Sequence, residues 1–446
     1  MKEQQHIFTN KMLRTLLIPV IFEQVLNSLM GTVDTMMVSN VGSAAISAVS
    51  LVDSINVLVI QAFSALAAGG AILCSQYIGQ KNHEMANKSA RQVLFIITAI
   101  SVAVTALCLL FRVPLLKLIF GKVEADVMTA SQVYFFYTAL SFPFIALYDA
   151  GASIFRSQGN TRGPMTVSVI SNVINIGGNA ALIWGFNMGV AGAAIATVFS
   201  QGVSAILCYI YMMRRFDILK TTPAERKFDG ALARILMYIG VPMGLQFSIT
   251  AIGSIMLQSA NNALGTACVA AFTAAMRIKM FFMCPFESLG MAMATYSGQN
   301  YGAGKPERIW MGVKASTLMM IVYWAFTFCV LMFGARTFAL LFVDASELEI
   351  LKNTELFLHI SVSFFPVLGL LCILRYTIQG VGYTNLAMLS GVSEMIARIL
   401  VSLLAVPAFG YLAVCFGDPT AWIFADAFLI PAFIYVYRRI LRMKKN

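Results

Sequence analysis

Residues 46–79 read ISAVSLVDSINVLVIQAFSALAAGGAILCSQYIG, a run of 34 with one charged side chain, Asp53. About 20 mostly apolar residues carry a helix across a bilayer, so this stretch predicts a membrane span, with length to spare for tilt. The chain around it has the same character. Of 446 residues, 59% are hydrophobic and 11% charged, with mean hydropathy +0.79. Soluble domains run at roughly 45–50% and about 25%. That excludes a soluble enzyme, a disordered chain and a nucleic-acid-binding domain, and makes the lipid bilayer the chain's solvent.

Apolar runs of this kind recur near residues 13–38, 46–77, 91–111, 129–155, 165–184, 190–212, 232–259, 266–297, 311–333, 352–378, 386–408 and 414–437. The expected fold is therefore an all-α polytopic membrane protein with twelve transmembrane helices. With both termini placed inside, 22 of the 31 Lys+Arg fall on inner segments, five on outer ones and four within spans. Positive charge collects on cytoplasmic loops, so the net charge of +11 is a topology signal rather than a nucleic-acid footprint. The expected location is the cytoplasmic (inner) membrane with both termini in the cytoplasm. The first apolar stretch runs straight into further spans, which argues against a cleavable signal peptide.

The quoted stretch also repeats. A shift of 223, half the length, lays residues 19–79 on 242–302 without a gap: Pro19 on Pro242, Gly42 on Gly265, Ala48 on Ala271, Phe63 on Phe286, Gln76 on Gln299 and Gly79 on Gly302. Pro143 falls on Pro366 at the same offset. Six spans per half make the halves enter the membrane the same way, as two parallel six-helix bundles about an axis along its normal, a transporter arrangement. The predicted organisation is an N-terminal lobe 1–212, a cytoplasmic loop 213–231 and a C-terminal lobe 232–446. Two lobes in one chain make a working monomer sufficient.

Ionisable groups in hydrocarbon are costly and mark function by default. The second half is expected to hold Glu287, Glu394 and Asp426 against Arg277, Lys279 and Arg398, a set that can neutralise itself. Glu394 and Arg398 stand four apart in the favourable order. The first half is expected to hold Glu23, Asp34, Asp53 and Asp149 with no base among its spans. Each of those carboxyls must carry a proton or hold a cation. Asp34 and Asp53 lie toward outer span ends, and Asn172, Asn175 and Asn179 recur at i, i+3, i+7 on one face of span 5. Asn175, Asn179 and Thr197 of span 6 fall in the outer half. Carboxylate, amide and hydroxyl oxygens suit Na+, and a carboxylate alone suffices for H+. The candidate ion-coupling residues are thus Asp34, Asn175, Asn179, Thr197, Asp53 and Asp149.

A polar stripe of Glu23, Asn27 and Asp34 on span 1 is expected to face a cavity, as is Gln246, Thr250, Gln258 and Asn261 on span 7. Asn172, Met280, Met283 and Glu287 complete the candidate substrate lining, since thioethers and aromatic faces accommodate flat organic cations. Pro19, Pro143, Pro242, Pro285, Pro366 and Pro407 predict kinks in spans or at their edges. The eight cysteines lie in apolar runs without a Cys-x-x-Cys pair, and read as buried small side chains. His6, His83 and His359 show no ligand spacing, so no structural metal and no cofactor beyond a coupling ion is expected.

The segments GTVDTMMVSNVGSAAISAVS (31–50), FRSQGNTRGP (155–164), NVINIGGNAALIWGFNMGVAGAAIATVFSQ (172–201) and GQNYGAGKPERI (298–309) together resemble the multidrug and toxic compound extrusion (MATE) transporters over essentially the whole chain. The resemblance implies twelve helices in two lobes, alternating access, and export of mostly cationic drugs against inward H+ or Na+. It matches Asp34 to the family's acidic residue of the first helix, and Asn175 and Thr197 to polar positions credited with cation binding. Asn179 stands where several members have Asp. Thr250 stands where the norfloxacin-exporter branch has Glu, and helix 10 lacks that branch's Asp. The chain looks closer to the branch named for DNA-damage-inducible protein F.

The main alternative is a lipid-linked saccharide flippase of the same superfamily, which would need a basic cavity for pyrophosphate. A major-facilitator carrier would carry a Gly-x-x-x-Asp-Arg loop after span 2, where this chain reads GQKNHEMANK (79–88). A membrane enzyme would need clustered His, Asp or Ser at one depth, and none stands out.

Overall fold

Apolar side chains all around a helix leave it no soluble solution, and the chain packs accordingly as long helices with their outer faces apolar. The computed structural model describes residues 17–27, 33, 37, 43–121, 124–215 and 228–445. All elements among them are helical: α1 Leu17–Asn27, α2 Ser43–Gly79, α3 His83–Leu110, α4 Arg112–Phe120, α5 Ala125–Ser157, α6 Arg162–Asn179, α7 Gly189–Arg215, α8 Gly230–Asn262, α9 Thr266–Gly302, α10 Pro306–Ala339, α11 Leu348–Ser363, α12 Phe365–Val381, α13 Thr384–Leu400, α14 Val406–Phe409, α15 Tyr411–Cys415 and α16 Gly417–Lys445. Among the described residues, ten helical segments are long and apolar enough to cross a membrane, and α11 with α12 forms an eleventh, bent by 50°. The first span is described over α1, and most of the loop 213–231 lies outside the described residues. The short helix α4 has no counterpart among the expected spans, and α15 overlaps the start of the span expected at 414–437.

Two units result, Ile18–Gly244 and Leu245–Asn446, with Leu17 counted in the second. In the first, α5 packs against α2, α3 and α7, and α6 lies on α7. Gly69 of α2 sits where a Cβ would come within 2.5 Å of Gly240 Cα, so the two backbones touch, as small residues permit at membrane helix crossings. In the second, α9 packs against α10, α11 and α12, and α16 against α12 and α13.

The 223-residue repeat governs backbone detail. Gly159 after α5 and Gly382 after α12 both take positive φ, 78° and 102°. Their N–H groups donate to Arg156 O and Gln379 O at 2.9 and 2.8 Å. Lys81 and Gly304 match at φ 62° and 66°, and Asn187 and Gly410 at 53° and 59°. Both α6 and α13 pass into π-helical turns, Ala180–Gly185 and Val401–Ala405.

The repeated proline acts differently in each half. A proline frees the carbonyl four residues earlier. Pro143 stays within a continuous α5, and Thr105 Oγ1 donates to Ala139 O at 3.2 Å. Pro366 follows the break at Phe364, and Trp324 Nε1 donates to Val362 O at 2.9 Å. Each orphan carbonyl finds a side-chain donor from another helix, as hydrocarbon demands. The cysteines are free, but Cys329 is exposed and Cys108 and Cys268 only half-buried, because their helix faces point outward.

Candidate functional site

In the first unit, α6 and α7 bring amides and a hydroxyl together. Asn175 and Asn179 are one turn apart, and both are fully buried. Asn179 Nδ2 donates to Asn175 Oδ1 at 3.3 Å, Asn175 Nδ2 to Thr197 Oγ1 at 3.3 Å, and Thr197 Oγ1 to Ala193 O at 3.0 Å. Asn179 is the last residue of α6 before the π turn. Asn172 donates instead to Ser168 O at 2.8 Å, and Ser168 Oγ donates to Asn27 Oδ1 of α1 at 2.9 Å. The polar stripe of α1 is thereby pinned to α6. Asp34 lies outside the described residues.

The other first-half carboxyls are engaged elsewhere. Asp53 accepts from Asn56 Nδ2 at 3.4 Å and from Tyr134 OH at 3.3 Å. Asp149 accepts from the Ser64 hydroxyl. Glu23, 1% exposed, pairs with Arg156 Nη2 at 2.8 Å, and Tyr148 OH lies 3.1 Å from Glu23 Oε1 and from Pro164 O. This corrects the expectation of a first half without a base. Span 4 continues past residue 155, and the added turn of α5 swings Arg156 onto Glu23.

The second unit contains a chain of buried ion pairs. Lys279 of α9 pairs with Asp418 of α16, and Arg398 Nε reaches the same carboxylate at 2.9 Å. Arg398 Nη1 stands 3.4 Å from Glu394 Oε2, and Arg375 of α12 closes on Glu394 and donates to Ser390 Oγ at 3.0 Å. The expected set changes accordingly. Arg277 is exposed, because two residues separate it from the inward-facing Lys279 by about 200° of helix turn. Arg375 and Asp418 belong to the chain, whereas Asp426 is buried beside it with Oδ1 lacking a hydrogen-bond partner. Glu287 is exposed on α9, although it lies mid-span.

The expected cavity stripe of α8 is divided. Gln246 is buried and accepts from Gln379 Nε2 at 2.8 Å. Thr250 turns its hydroxyl onto its own backbone at Gln246 O, and Gln258 is exposed. Asn261 is fully buried and donates to Cys268 O at 3.4 Å, which closes the α8–α9 corner rather than lining a cavity. Met280 is exposed and Met283 half-buried.

The two paired sites are related by the repeat: Glu23 falls on Gln246 and Arg156 on Gln379. An ion pair at 2.8 Å in one half stands where an amide pair at 2.8 Å stands in the other.

Comparison with known proteins agrees with this architecture. The family profile MatE matches residues 19–181 and 233–404. The chain is 27% identical over 329 residues to a probable multidrug resistance protein, YoeA, of Bacillus subtilis, covering 70% of each. It is 24% identical to a FAD transporter of Shewanella oneidensis, covering 76% of this chain and 75% of that one. It is 25% identical to a probable multidrug resistance protein NorM of Thermotoga maritima, covering 70% and 68%. Among solved structures, a multidrug resistance MATE family transporter in an outward-facing conformation superposes with TM-score 0.90 at 21% identity, covering 98% and 97%. A MOP superfamily transporter from Pyrococcus furiosus superposes with TM-score 0.89 at the same identity and coverage.

Proposed function

As the chain belongs to the MatE family, whose members are membrane transporters rather than enzymes, we propose that it exports organic, mostly cationic, drugs or toxins by alternating access, in exchange for H+ or Na+. The exchange is assigned to the first half. The observation that carries it is the Asn175–Asn179–Thr197 cluster, whose two asparagines are fully buried on the helix that α1 joins through Asn27 and Ser168. Neutral oxygens at membrane depth, on a helix that α1 joins, suit a small cation or a proton relay. Asp53 and Asp149 are further stations of the same half. In the second half Lys279, Arg375 and Arg398 are bound to Asp418 and Glu394, which favours export over the flippase reading, since a pyrophosphate would find those bases engaged.

In this account the lobes 1–212 and 232–446, joined by 213–231, move against one another in the cytoplasmic membrane, with both termini inside and one chain sufficient. In the second half, Glu287, Met280 and Met283 of α9 meet the substrate. The placement resembles neither the coupling site of the norfloxacin-exporter branch on α8, where Thr250 stands, nor a cofactor site.

The test uses purified protein in liposomes, wild type beside Asp34→Asn, with ethidium followed under an imposed Na+ gradient and, separately, a pH gradient. Wild-type movement under one gradient with loss in the variant supports the proposal and names the ion. Equal movement by both proteins removes Asp34 from coupling. Binding of a lipid-linked sugar without dye movement would favour the flippase.

A further inference from the structure

The surroundings of Lys279 are those of an alkylammonium site. Its ammonium meets the Asp418 carboxylate, and lies 5.2 Å from the Phe357 ring centre and 5.8 Å from that of Trp422. A carboxylate and two aromatic faces are what a desolvated ammonium requires. All four residues are under a tenth exposed. The repeat says what stands at these positions in the first half. Lys279 falls on Asn56 and Phe357 on Tyr134, the two residues that hydrogen-bond Asp53. One half therefore offers oxygens where the other presents a cation over a ring. The offset also carries Asn175 to Arg398, between flanks that keep register at Gly159/Gly382 and Asn187/Gly410. At two positions a neutral amide of the first half is replaced by a base of the second.

We infer that Lys279 is a built-in cation: its ammonium permanently occupies a primary-alkylammonium site formed by Asp418, Phe357 and Trp422, the second half's counterpart of the oxygen-lined region around Asn56. With Arg398 completing the neutralisation of Asp418, this carboxylate holds no exchangeable ion, which leaves exchange in the proposed antiport to other carboxyls.

The site is tested by emptying it. Lys279→Ala removes three methylenes and the ammonium, the shape of propylammonium, whose neutral amine form crosses lipid. Thermal unfolding of purified protein is followed with propylammonium, propanol or sodium chloride. The expected result is a lower Tm for Lys279→Ala, a saturable rise with propylammonium alone, and no such rise for wild type or for Lys279→Ala/Asp418→Asn. A propylammonium response no larger than that to propanol, or one shared by wild type, overturns the site. Should Lys279→Ala not fold, Lys279→Met serves. The inference expects poor recovery that Asp418→Asn restores, and Lys279→Met recovered as well as wild type overturns it. No arm depends on transport, so this inference and the antiport reading fail separately.

Discussion

The Glu23–Arg156 pair should behave as one unit, and the chain supplies its own control. Glu23 is 1% exposed and the Arg156 side chain 20%, so removal of either partner strands a buried charge at a cost of about 3–5 kcal/mol. Glu23→Gln leaves the guanidinium without its carboxylate, and Arg156→Gln leaves Glu23 without its base. The double variant installs the amide pair that the repeat already uses, where Gln379 Nε2 and Gln246 Oε1 meet at 2.8 Å. An interhelical hydrogen bond of this kind is worth roughly 0.6 kcal/mol in a membrane protein, and the pair itself no longer carries charge to desolvate. The double variant should thus lie within about 1–2 kcal/mol of wild type, against a sum of about 6–10 kcal/mol for independent losses. Equilibrium unfolding of the three variants in detergent or bicelles reads this directly. A double variant as unstable as the sum of the singles would refute both the pairing and the equivalence drawn through the repeat.

Three further outcomes follow from particular contacts. With Na+ as the coupling ion, Asn179→Asp adds a carboxylate beside Asn175, and since charge-assisted bonds are roughly twice as strong as neutral ones, dye movement should reach half its Na+-driven rate at about tenfold lower Na+. Thr105→Val and Trp324→Phe each strip a donor from a carbonyl freed by proline, Ala139 O and Val362 O. Each should lower stability by about 1–3 kcal/mol in equilibrium unfolding. Outside the membrane, the Lys88 ammonium with the backbone N–H groups of Leu232 and Ala231 holds the Asp229 carboxyl below its ordinary range. Its lowered value makes its contribution present above the unfolded value and lost as pH falls through the folded one. Asp229→Asn should lower Tm slightly at neutral pH, where that contribution is present, and flatten the Tm profile on the acid side of about pH 4.

The sequence made the spans legible because apolar length is a local property, and made the repeat legible because 19–79 and 242–302 align without gaps. Contacts within one helix were equally open: Asn175 with Asn179 and Glu394 with Arg398 are a single turn apart. Pairs between helices were not, since Glu23 and Arg156 are separated by 133 residues and Lys279 and Asp418 by 139. Spacing along the chain says nothing about which helices adjoin. A signal was nevertheless present. Carried through the offset, Glu23 and Arg156 land on two glutamines, and a matched change from charges to amides marks two positions as partners. The boundary of span 4 hid it, because a helix read as ending at 155 puts Arg156 in a loop. Asp53 and Asp149 took their positions from α2 and α5 packing, which brings Tyr134 and Ser64 to them, and no pattern in the sequence names those donors.

The central claim is that the buried oxygens of the first half couple ion flow to export. Asn175→Leu keeps the size of the side chain and removes both its oxygen and its bond to Thr197. Wild type and Asn175→Leu would be compared in liposomes for ethidium binding and for gradient-driven ethidium movement. The account predicts binding retained and gradient-driven movement lost in the variant. Movement driven as strongly as in wild type would contradict it.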